Sequence, residues 1–563
     1  MLVMGISCYY HDSAVALVDD DEIKFAIHEE RLSRVKHDSR FPFLGVGRAL
    51  QAVGLASAAD IDKVVCYEEP QVKLRRLWDQ AIDFWPHSRR LLFDDIPRFW
   101  QLKQPEREMR ARGYPGTIEY SQHHRSHAAS AFFTSPFERA VVVTLDGVGE
   151  YETAAVHLGE GNRLNKIRSI HFPDSLGLFY SVFTQYLGFE VNEGEYKVMG
   201  LAPYGRPRFL DKLIGPILRL AKDGSFSLNL RFFDFCSRQR HYAPALVQHL
   251  GIAPRRADEP MTEAYQDLAA SVQQALEFAI ANLLKPLIGE FGTRDFCFAG
   301  GVALNCTANA AMIRELGIRS HIHPAAGDAG GALGAALQSV MRTRENAPCR
   351  RYTLSPYLGV RYPDPVITAT LALNDVPYRK SNDIAEELAD RLVAGNVVAI
   401  AQGRDEWGPR ALGARSILAD PRTPEMKDHL NAKFKFREEF RPFAPVVKEE
   451  AYAGWFESLG MSNSPYMLYT HQALRPESTG ATTHVDGTSR VQTVSAEQNS
   501  YLYRILDAFE RRTGVPVLIN TSFNLRGEPI VSSPSDALKT FFASGIDSLA
   551  LEDFLVDKTM AAA

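Results

Sequence analysis

Short apolar runs separated by polar turns dominate the first 160 residues. Residues 3–7, 14–18 and 23–27 are such runs, divided by Tyr10-His11-Asp12-Ser13 and by the acidic turn Asp19-Asp20-Asp21. Their length and bounding turn residues predict three strands. The same plan returns later: residues 140–145 form an apolar run, Asp146-Gly147-Val148-Gly149-Glu150 a turn, and 153–158 a second run ending at Gly159-Glu160-Gly161. Two strand–turn–strand units predict a duplicated domain, although few residues match between them.

Further on, the strand-like run 296–299 enters Gly300-Gly301-Val302-Ala303-Leu304-Asn305, and Ala326-Gly327-Asp328-Ala329-Gly330-Gly331-Ala332 opens a helical pattern. Glycine there would let backbone amides approach a ligand, and helix N-termini favour anions. A boundary is expected near 345–360, where the chain turns polar and carries Pro348. Beyond it, 397–402 and 515–520 read as strands, and Pro516 suits a first or edge position. Residues 458–488, rich in Ser, Thr, Gly and Pro, are expected to form a mobile loop over a site. Residues 75–113, with Trp78, Trp85 and Trp100 among arginines, are expected to be a helical insertion of packed aromatics with a solvated basic face.

A chain of 563 residues exceeds one ordinary core, so two or more domains are expected. The formal net charge of -5 gives no bulk reason to bind nucleic acid or an anionic membrane. Six cysteines, Cys8, Cys66, Cys236, Cys297, Cys306 and Cys349, include no CxxC pair and fit a reducing compartment. The first residues carry no signal-peptide pattern, and no apolar stretch approaches the roughly 20 residues of a membrane span. A cytoplasmic location is the expectation.

Candidate chemistry centres on Ser121-Gln122-His123-His124-Arg125-Ser126-His127-Ala128. His123 and His127 stand four apart, so on a helix they share a face and offer two imidazoles to one metal. Satisfied core or surface histidines are the plainer reading of that spacing. Asp328 is a carboxylate able to complete such a site, and also an ordinary turn residue. His321 and His323 have strand spacing and are left out. Mixed His and carboxylate ligation suits iron(II), zinc or manganese.

Three other segments stand out. His11 and Asp12 sit where the first hairpin bends, and Lys36 lies close to Phe41-Pro42. The run 194–205 mixes charge, glycine and proline too densely for a plain helix and reads as a shaped loop. In the second half, Arg410, Arg415, Lys435, Arg441 and Arg490, interleaved with Phe and Pro, accompany the turn Asn520-Thr521-Ser522-Phe523-Asn524. Such arginine forks suit phosphates and carboxylates. The alternative is ion pairing with Glu406, Glu438 and Glu439.

These motifs, in order and across essentially the whole chain, resemble the O-carbamoyltransferases of nodulation-factor and antibiotic biosynthesis. The resemblance rests on His11-Asp12-Ser13, Glu29-Glu30-Arg31 with Arg34 and Lys36-His37, His123-His124 with His127-Ala128, and Glu195-Tyr196-Lys197-Val198-Met199-Gly200-Leu201-Ala202. It continues through Gly300-Gly301-Val302-Ala303-Leu304-Asn305, Gly327-Asp328, Gly408-Pro409-Arg410-Ala411-Leu412-Gly413, Phe440-Arg441-Pro442-Phe443-Ala444-Pro445 and Asn520-Thr521-Ser522-Phe523-Asn524.

The resemblance implies a mixed α/β and α+β protein. A duplicated actin-like ATPase-type domain would occupy residues 1–352 and a YrdC-like domain 353–563. It implies carbamoyl-adenylate made from carbamoyl phosphate and ATP with Mg2+, then transfer of the carbamoyl group to a hydroxyl of a small-molecule acceptor. Metal, of the iron(II) type, would sit on His123, His127 and Asp328, with Asp146 facing it. Gly300, Gly301 and Asn305 would bind the adenylate. Arg410, Arg415, Lys435, Arg441, Arg490, Asn520 and Ser522 would hold ATP and carbamoyl phosphate. His11 would be the general base, since imidazole titrates near operating pH, and Lys36 would bind the anionic intermediate.

Tyr9 stands where an aminoglycoside-modifying member carries an acidic residue, which favours a neutral or aromatic acceptor over a polycation. No nucleic acid or membrane partner is expected, and a homodimer is left open. Threonylcarbamoyl transfer to tRNA shares both folds, and a non-catalytic nucleotide-binding scaffold shares the first. Overall acidity weighs against tRNA, and the basic second pocket against a scaffold.

Overall fold

The computed structural model describes residues 1–99, 104–235, 240–349, 351–432, 438 and 440–558; Lys435, Trp100 and Cys236 lie outside them. The chain opens with strands β1 (Val3–Ser7), β2 (Ala14–Val18) and β3 (Ile23–His28), then helices α1 (Glu29–Ser33) and α2 (Phe43–Ala52). Two compact units divide this opening between them. One holds residues 1–7, 16–22 and 54–353; the other holds 8–15, 23–53 and 354–563. The longest segments of the two units meet at Thr353–Leu354, and two early segments group with the later half.

The first unit is built on two parallel triplets. In one, β1 pairs with β4 (Lys63–Cys66), and β4 with β5 (Glu119–Tyr120). In the other, β6 (Arg139–Leu145) pairs in parallel with β9 (Asp295–Ala299), and β9 with β10 (Arg319–Ile322). Strands β7 (Glu152–Glu160) and β8 (Arg163–His171) extend the second triplet as an antiparallel meander. Alternate faces of β6 and β9 are both buried, which is why they read as continuous apolar runs.

A helix follows each triplet: α4 (His123–Phe132) after β5, and α7 (Asp328–Arg342) after β10. The two pack at close range because glycine faces backbone. A Cβ on Gly334 would fall 1.7 Å from Ser126 O, and one on Gly5 would fall 1.8 Å from Ala332 O. Gly330 and Gly331 are likewise pressed against Ala325 O and the Tyr67 ring. These glycines serve helix packing rather than the ligand approach expected of the Gly-rich turn.

Between the triplets, α3 (Pro70–Asp83), a π-helical turn Leu91–Asp95 and helices Ile96–Phe99 and Gln104–Ala111 form the helical insertion. Its apolar cluster is Leu77, Ala81 and Ile96. Trp78 and Trp85 stay exposed, contrary to the packed-aromatic expectation, while Lys73 and Arg76 are buried. The long helix α5 (Glu263–Phe291) and α6 (Cys306–Leu316) complete this unit's main framework.

The second unit centres on an eight-stranded sheet. A separate pair, β11 (Tyr357–Arg361) and β14 (Arg404–Glu406), flanks its sequence. The sheet strands are β12 (Arg379–Lys380), β13 (Val398–Ala401), β15 (Arg415–Ala419), β16 (Ala444–Lys448), β17 (Gln492–Val494), β18 (Val517–Ser522), β19 (Ser548–Leu551) and β20 (Phe554–Asp557), ordered β12-β20-β19-β13-β15-β18-β16-β17. Strand β18 is interior, and Pro516 lies just before it, so the proline breaks no ladder bond of the strand and does not mark an edge.

Val398, Ile400, Leu418, Leu518 and Ala550 join α8 (Ile384–Val393) and α9 (Ser500–Thr513) in one core cluster. Ala399, Ile417, Ile519 and Leu549 join α10 (Pro534–Phe542) in another. This period-2 split buries both sheet faces, each large apolar side chain contributing about 1.5–3 kcal/mol relative to exposure. Residues 458–488 are braced rather than loose: Met467, Leu468, Ala481 and Thr482 are buried, and His471–Gln472 pairs with Thr488–Ser489.

Candidate active site

The first unit gathers its chemistry at the C-terminal ends of the second parallel triplet, the usual place for a ligand crevice. Asp146 follows β6, Gly300 and Gly301 follow β9, and Asp328 opens α7 beyond β10. Gly300 adopts φ +92°, and a Cβ there would meet Leu145 O at 2.2 Å. A Cβ on Gly301 would crowd Asp146 Oδ1 at 3.1 Å.

His123 and His127, one turn apart on α4, point into this crevice. Asp146 Oδ2 lies 3.2 Å from His123 Nε2 and 3.0 Å from His127 Nε2. The two Nε2 atoms are 3.0 Å apart, and Asp328 Oδ1 is 3.7 and 3.5 Å from them. All four potential ligand atoms lie within 4.8 Å of one another. Asp146 is thus a fourth member of the set, nearer both imidazoles than Asp328.

Burial alone would lower the His123 pKa, but the Asp146 hydrogen bond and the neighbouring carboxylates lift it to about 9. His127 is raised by the same carboxylates against the same burial. Asp146 is held well below the usual carboxylate range by both imidazoles, again against burial. Two imidazole nitrogens converging on one carboxylate oxygen is the donor set of a divalent cation, which would replace the protons this pair otherwise binds. Asp328 Oδ2 is buried without a hydrogen-bond partner, as are Nδ1 of His123 and His127. The orphaned Asp328 oxygen fits a site whose polar demand is met by a bound group, whereas the two Nδ1 atoms face away from the converging Nε2 pair.

Two carboxylates missed in the sequence support the cluster. Glu150 Oε1 accepts from the backbone N–H of His123 at 2.8 Å and of Glu69 at 2.7 Å, anchoring the start of α4. Burial raises the Glu150 pKa. Glu68 Oε2 sits 4.0 Å from His123 Nδ1, and its other oxygen takes a bond from buried Lys73 at 2.7 Å. Gly149 leaves room for the His123 ring, which a Cβ would meet at 2.8 Å.

His124 is no ligand. Its Nε2–H donates to Glu152 O at 2.9 Å, Nδ1 lies 2.7 Å from the Thr144 hydroxyl, and burial holds it neutral. His323 Nδ1 accepts from Ala325 N, and burial pushes His321 down to about 4. Asn305 caps α6 by accepting from Ala308 N, and its amide pairs with Gln273. That makes it a framework residue in this structure.

The second unit holds a different cluster. Asp12 Oδ1 lies 2.7 Å from His37 Nδ1, Asp12 Oδ2 lies 3.0 Å from His11 Nδ1, and the two rings are 4.6 Å apart. The imidazoles hold the Asp12 carboxyl far below its ordinary range against the opposing effect of burial. Tyr9, Asp12, Arg34 and His37 all have positive φ, a concentration of backbone strain typical of functional turns. Glu30 Oε2 accepts from His37 N at 2.9 Å, and Ser13 N donates to Asp38 O at 2.8 Å, fixing the turn. Lys36 is half-buried one residue before His37.

In the same unit, Glu406 Oε1 accepts from the amides of Leu412, Ala414 and Arg415 at 2.8–3.0 Å. The Gly408–Gly413 turn is therefore shaped around one buried carboxylate. Arg415 is 2% exposed, pairs with Asp405 at 2.7 Å, and donates to Gln402 O and Ser532 O. Its fork is spent on the frame, which corrects its expected role as a phosphate ligand.

Arg410, Arg441 and Arg490 are half-buried. Arg441 lies 3.6 Å from Glu438, the ion pairing weighed as the alternative. Asn520 Nδ2 donates to Gln492 Oε1 at 2.6 Å and Ala411 O at 3.2 Å, leaving a buried Oδ1 without partner. Ser522 Oγ donates to Asn524 Oδ1.

The carbamoyltransferase N-terminal family model matches residues 2–337, and the carbamoyltransferase C-terminal model matches 389–558. The chain belongs to the carbamoyltransferase family. It is 36% identical to nodulation protein NolNO of Sinorhizobium fredii, over 98% of this chain and 80% of that protein. A protein of Synechocystis sp. is 42% identical over 99% of this chain and 97% of its own length. The 3'-hydroxymethylcephem-O-carbamoyltransferase of Streptomyces clavuligerus is 27% identical over 94% of both chains. Among solved structures, the HypF of T. kodakarensis aligns with 61% of this chain and 48% of its own at a TM-score of 0.32 and 14% identity. No helix among the described residues is long and apolar enough to cross a membrane.

Proposed function

We propose that this protein is an ATP-dependent O-carbamoyltransferase acting on a hydroxyl of a small natural product. The observation that carries the reading is the buried two-histidine, two-aspartate cluster in a chain that matches both halves of the carbamoyltransferase family. Hydroxyl acceptors are supported by the cephem O-carbamoyltransferase relative. The paired parallel triplets and their mutually packed helices support an actin-like ATPase-type reading of residues 1–352. The mixed sheet supports a YrdC-like reading of 353–563.

Carbamoyl phosphate, ATP and one water give carbamoyl-adenylate, pyrophosphate and phosphate. Arg410, Arg441, Arg490, Asn520 and Ser522 bind the phosphates and carbamoyl group, with Mg2+ accompanying ATP; Lys435 belongs to the same set. Arg415 supports the turn that carries Arg410. Transfer then breaks the bond from the carbamoyl carbon to the bridging oxygen of the mixed anhydride. The acceptor hydroxyl loses its proton to His11, its oxygen bonds the carbamoyl carbon, and AMP leaves with the electron pair. Asp12 holds His11 through Nδ1, which presents Nε2 for the proton. Within the first unit, the Gly300–Gly301 turn lets its backbone approach the adenylate. His123, His127, Asp146 and Asp328 would hold a metal, of the iron(II) class, which would supply Lewis acidity when bound.

The test is carbamoyl-phosphate-dependent exchange of labelled pyrophosphate into ATP, which needs no acceptor. The expected result is exchange in the wild type and its loss in Arg441→Ala. Exchange independent of carbamoyl phosphate would contradict the reading.

A further inference from the structure

The first unit contains a polar cavity of about 110 Å3 that the carbamoyl chemistry does not use. It is lined by the end of β5, the first turn of α4 and the last turns of α7, and includes Ser121, Arg125, Gln338 and Arg342. Arg125 follows His123 by two residues, so helical geometry turns it about 200° away from the histidine cluster. The cavity and the cluster thus lie on opposite faces of one helix.

Its lining is unusual for a water-filled dent. Ser121 and Gln338 are 8% and 5% exposed, and Ser121 Oγ, Arg125 Nε and Gln338 Oε1 are buried without hydrogen-bond partners. Either orientation of the Gln338 amide leaves a polar atom facing the space. Among the described residues, neither Arg125 nor Arg342 has a carboxylate within 4.0 Å, although Glu345 exerts a longer-range attraction on Arg125.

Two carboxylates, Glu69 and Glu119, also line the cavity, but Lys63 engages Glu119 at 3.1 Å. Waters could satisfy the hydroxyl and the amide, and the volume would hold roughly three or four of them. Counting Lys63 with the lining, three cations face the two carboxylates, an excess of one positive charge that water does not offset. Guanidinium forks, a hydroxyl and an amide are the groups that recognise phosphate.

We propose that this cavity binds a small tetrahedral oxyanion of the phosphate class, held by Arg125, Arg342, Ser121 and Gln338. The site is independent of the adenylation chemistry. Its volume admits inorganic phosphate.

The test is isothermal titration of the full chain with inorganic phosphate and, separately, with AMP, after chelator treatment. Wild type, Arg125→Gln and Arg342→Gln are compared, and thermal melts confirm that each is folded. Arg342 is exposed, so its variant keeps the test valid if Arg125→Gln misfolds. Saturable phosphate binding that weakens about tenfold or more in each folded variant, with AMP binding unchanged, is expected. Phosphate binding undiminished in the folded variants would overturn the proposal, as would no saturable binding up to about 10 mM in the wild type. An equal loss of AMP binding would overturn the small-anion assignment.

Discussion

Two clusters in this chain use the same side chains and opposite nitrogens. In the first unit, His123 and His127 turn Nε2 toward one oxygen of Asp146, with Asp328 close by and both imidazoles almost fully buried. In the second, His11 and His37 give Nδ1 to the two oxygens of Asp12, and all three side chains are between a fifth and a third exposed. Ring centroids are 4.6 Å apart in both. Converging Nε2 atoms with a second carboxylate make a trap for a cation. A single carboxylate gripping Nδ1 orients each ring. The two clusters share a composition and differ in the nitrogen turned to the carboxylate and in the degree of burial.

The largest expected effect comes from breaking the first cluster. His127→Ala or Asp146→Asn should remove the metal, as read by elemental analysis, and lower carbamoyl transfer about 1,000-fold or more. Chelation of the wild type should reproduce that loss, and metal should restore it. His11→Gln should instead lower transfer about 100-fold while leaving metal content intact. Metal loss in His11→Gln would erase the distinction between the clusters.

Glu150→Gln sharpens the comparison from outside the ligand set. Loosening the start of α4 should weaken metal affinity about tenfold, measured by competition with a chelating dye. The smallest effect is on stability. Arg40, with help from Ser33, lowers the Asp38 carboxyl to about 2, below its ordinary 3.8. A depressed folded pKa means the contribution is fully present above the ordinary value and lost as pH falls through about 2. Asp38→Asn should therefore cost about 1 kcal/mol in denaturant unfolding at neutral pH, discounted for the exposed Arg40, with the difference closing toward pH 2.

Much of this was legible in the sequence where local pattern decides. The runs beginning at Val3 and at Ala140 became strands because apolar residues bounded by turn formers have few other options. The i,i+4 spacing of His123 and His127 placed both on one helical face. Long-range pairing was not legible. Asp12 meets His37 across 25 positions, and Glu150 reaches back to the His123 amide across 27. No periodicity encodes such contacts.

Arg415 shows the opposite failure. Beside a glycine turn it has the signature of a phosphate ligand, yet Asp405 and a ring of carbonyls consume it. Gly330 and Gly331 misled in the same way, since close helix packing and ligand approach demand the same residue. Pro516 suited a first or an edge position, and it stands immediately before an interior strand, so the first of the two holds.

The most direct measurement is the metal content of purified wild type, His127→Ala and His11→Gln by inductively coupled plasma mass spectrometry. The account expects about one metal ion per chain in the wild type and in His11→Gln, and less than about a tenth of that in His127→Ala. Equal metal in all three, or none in the wild type after growth with iron and manganese, would contradict it.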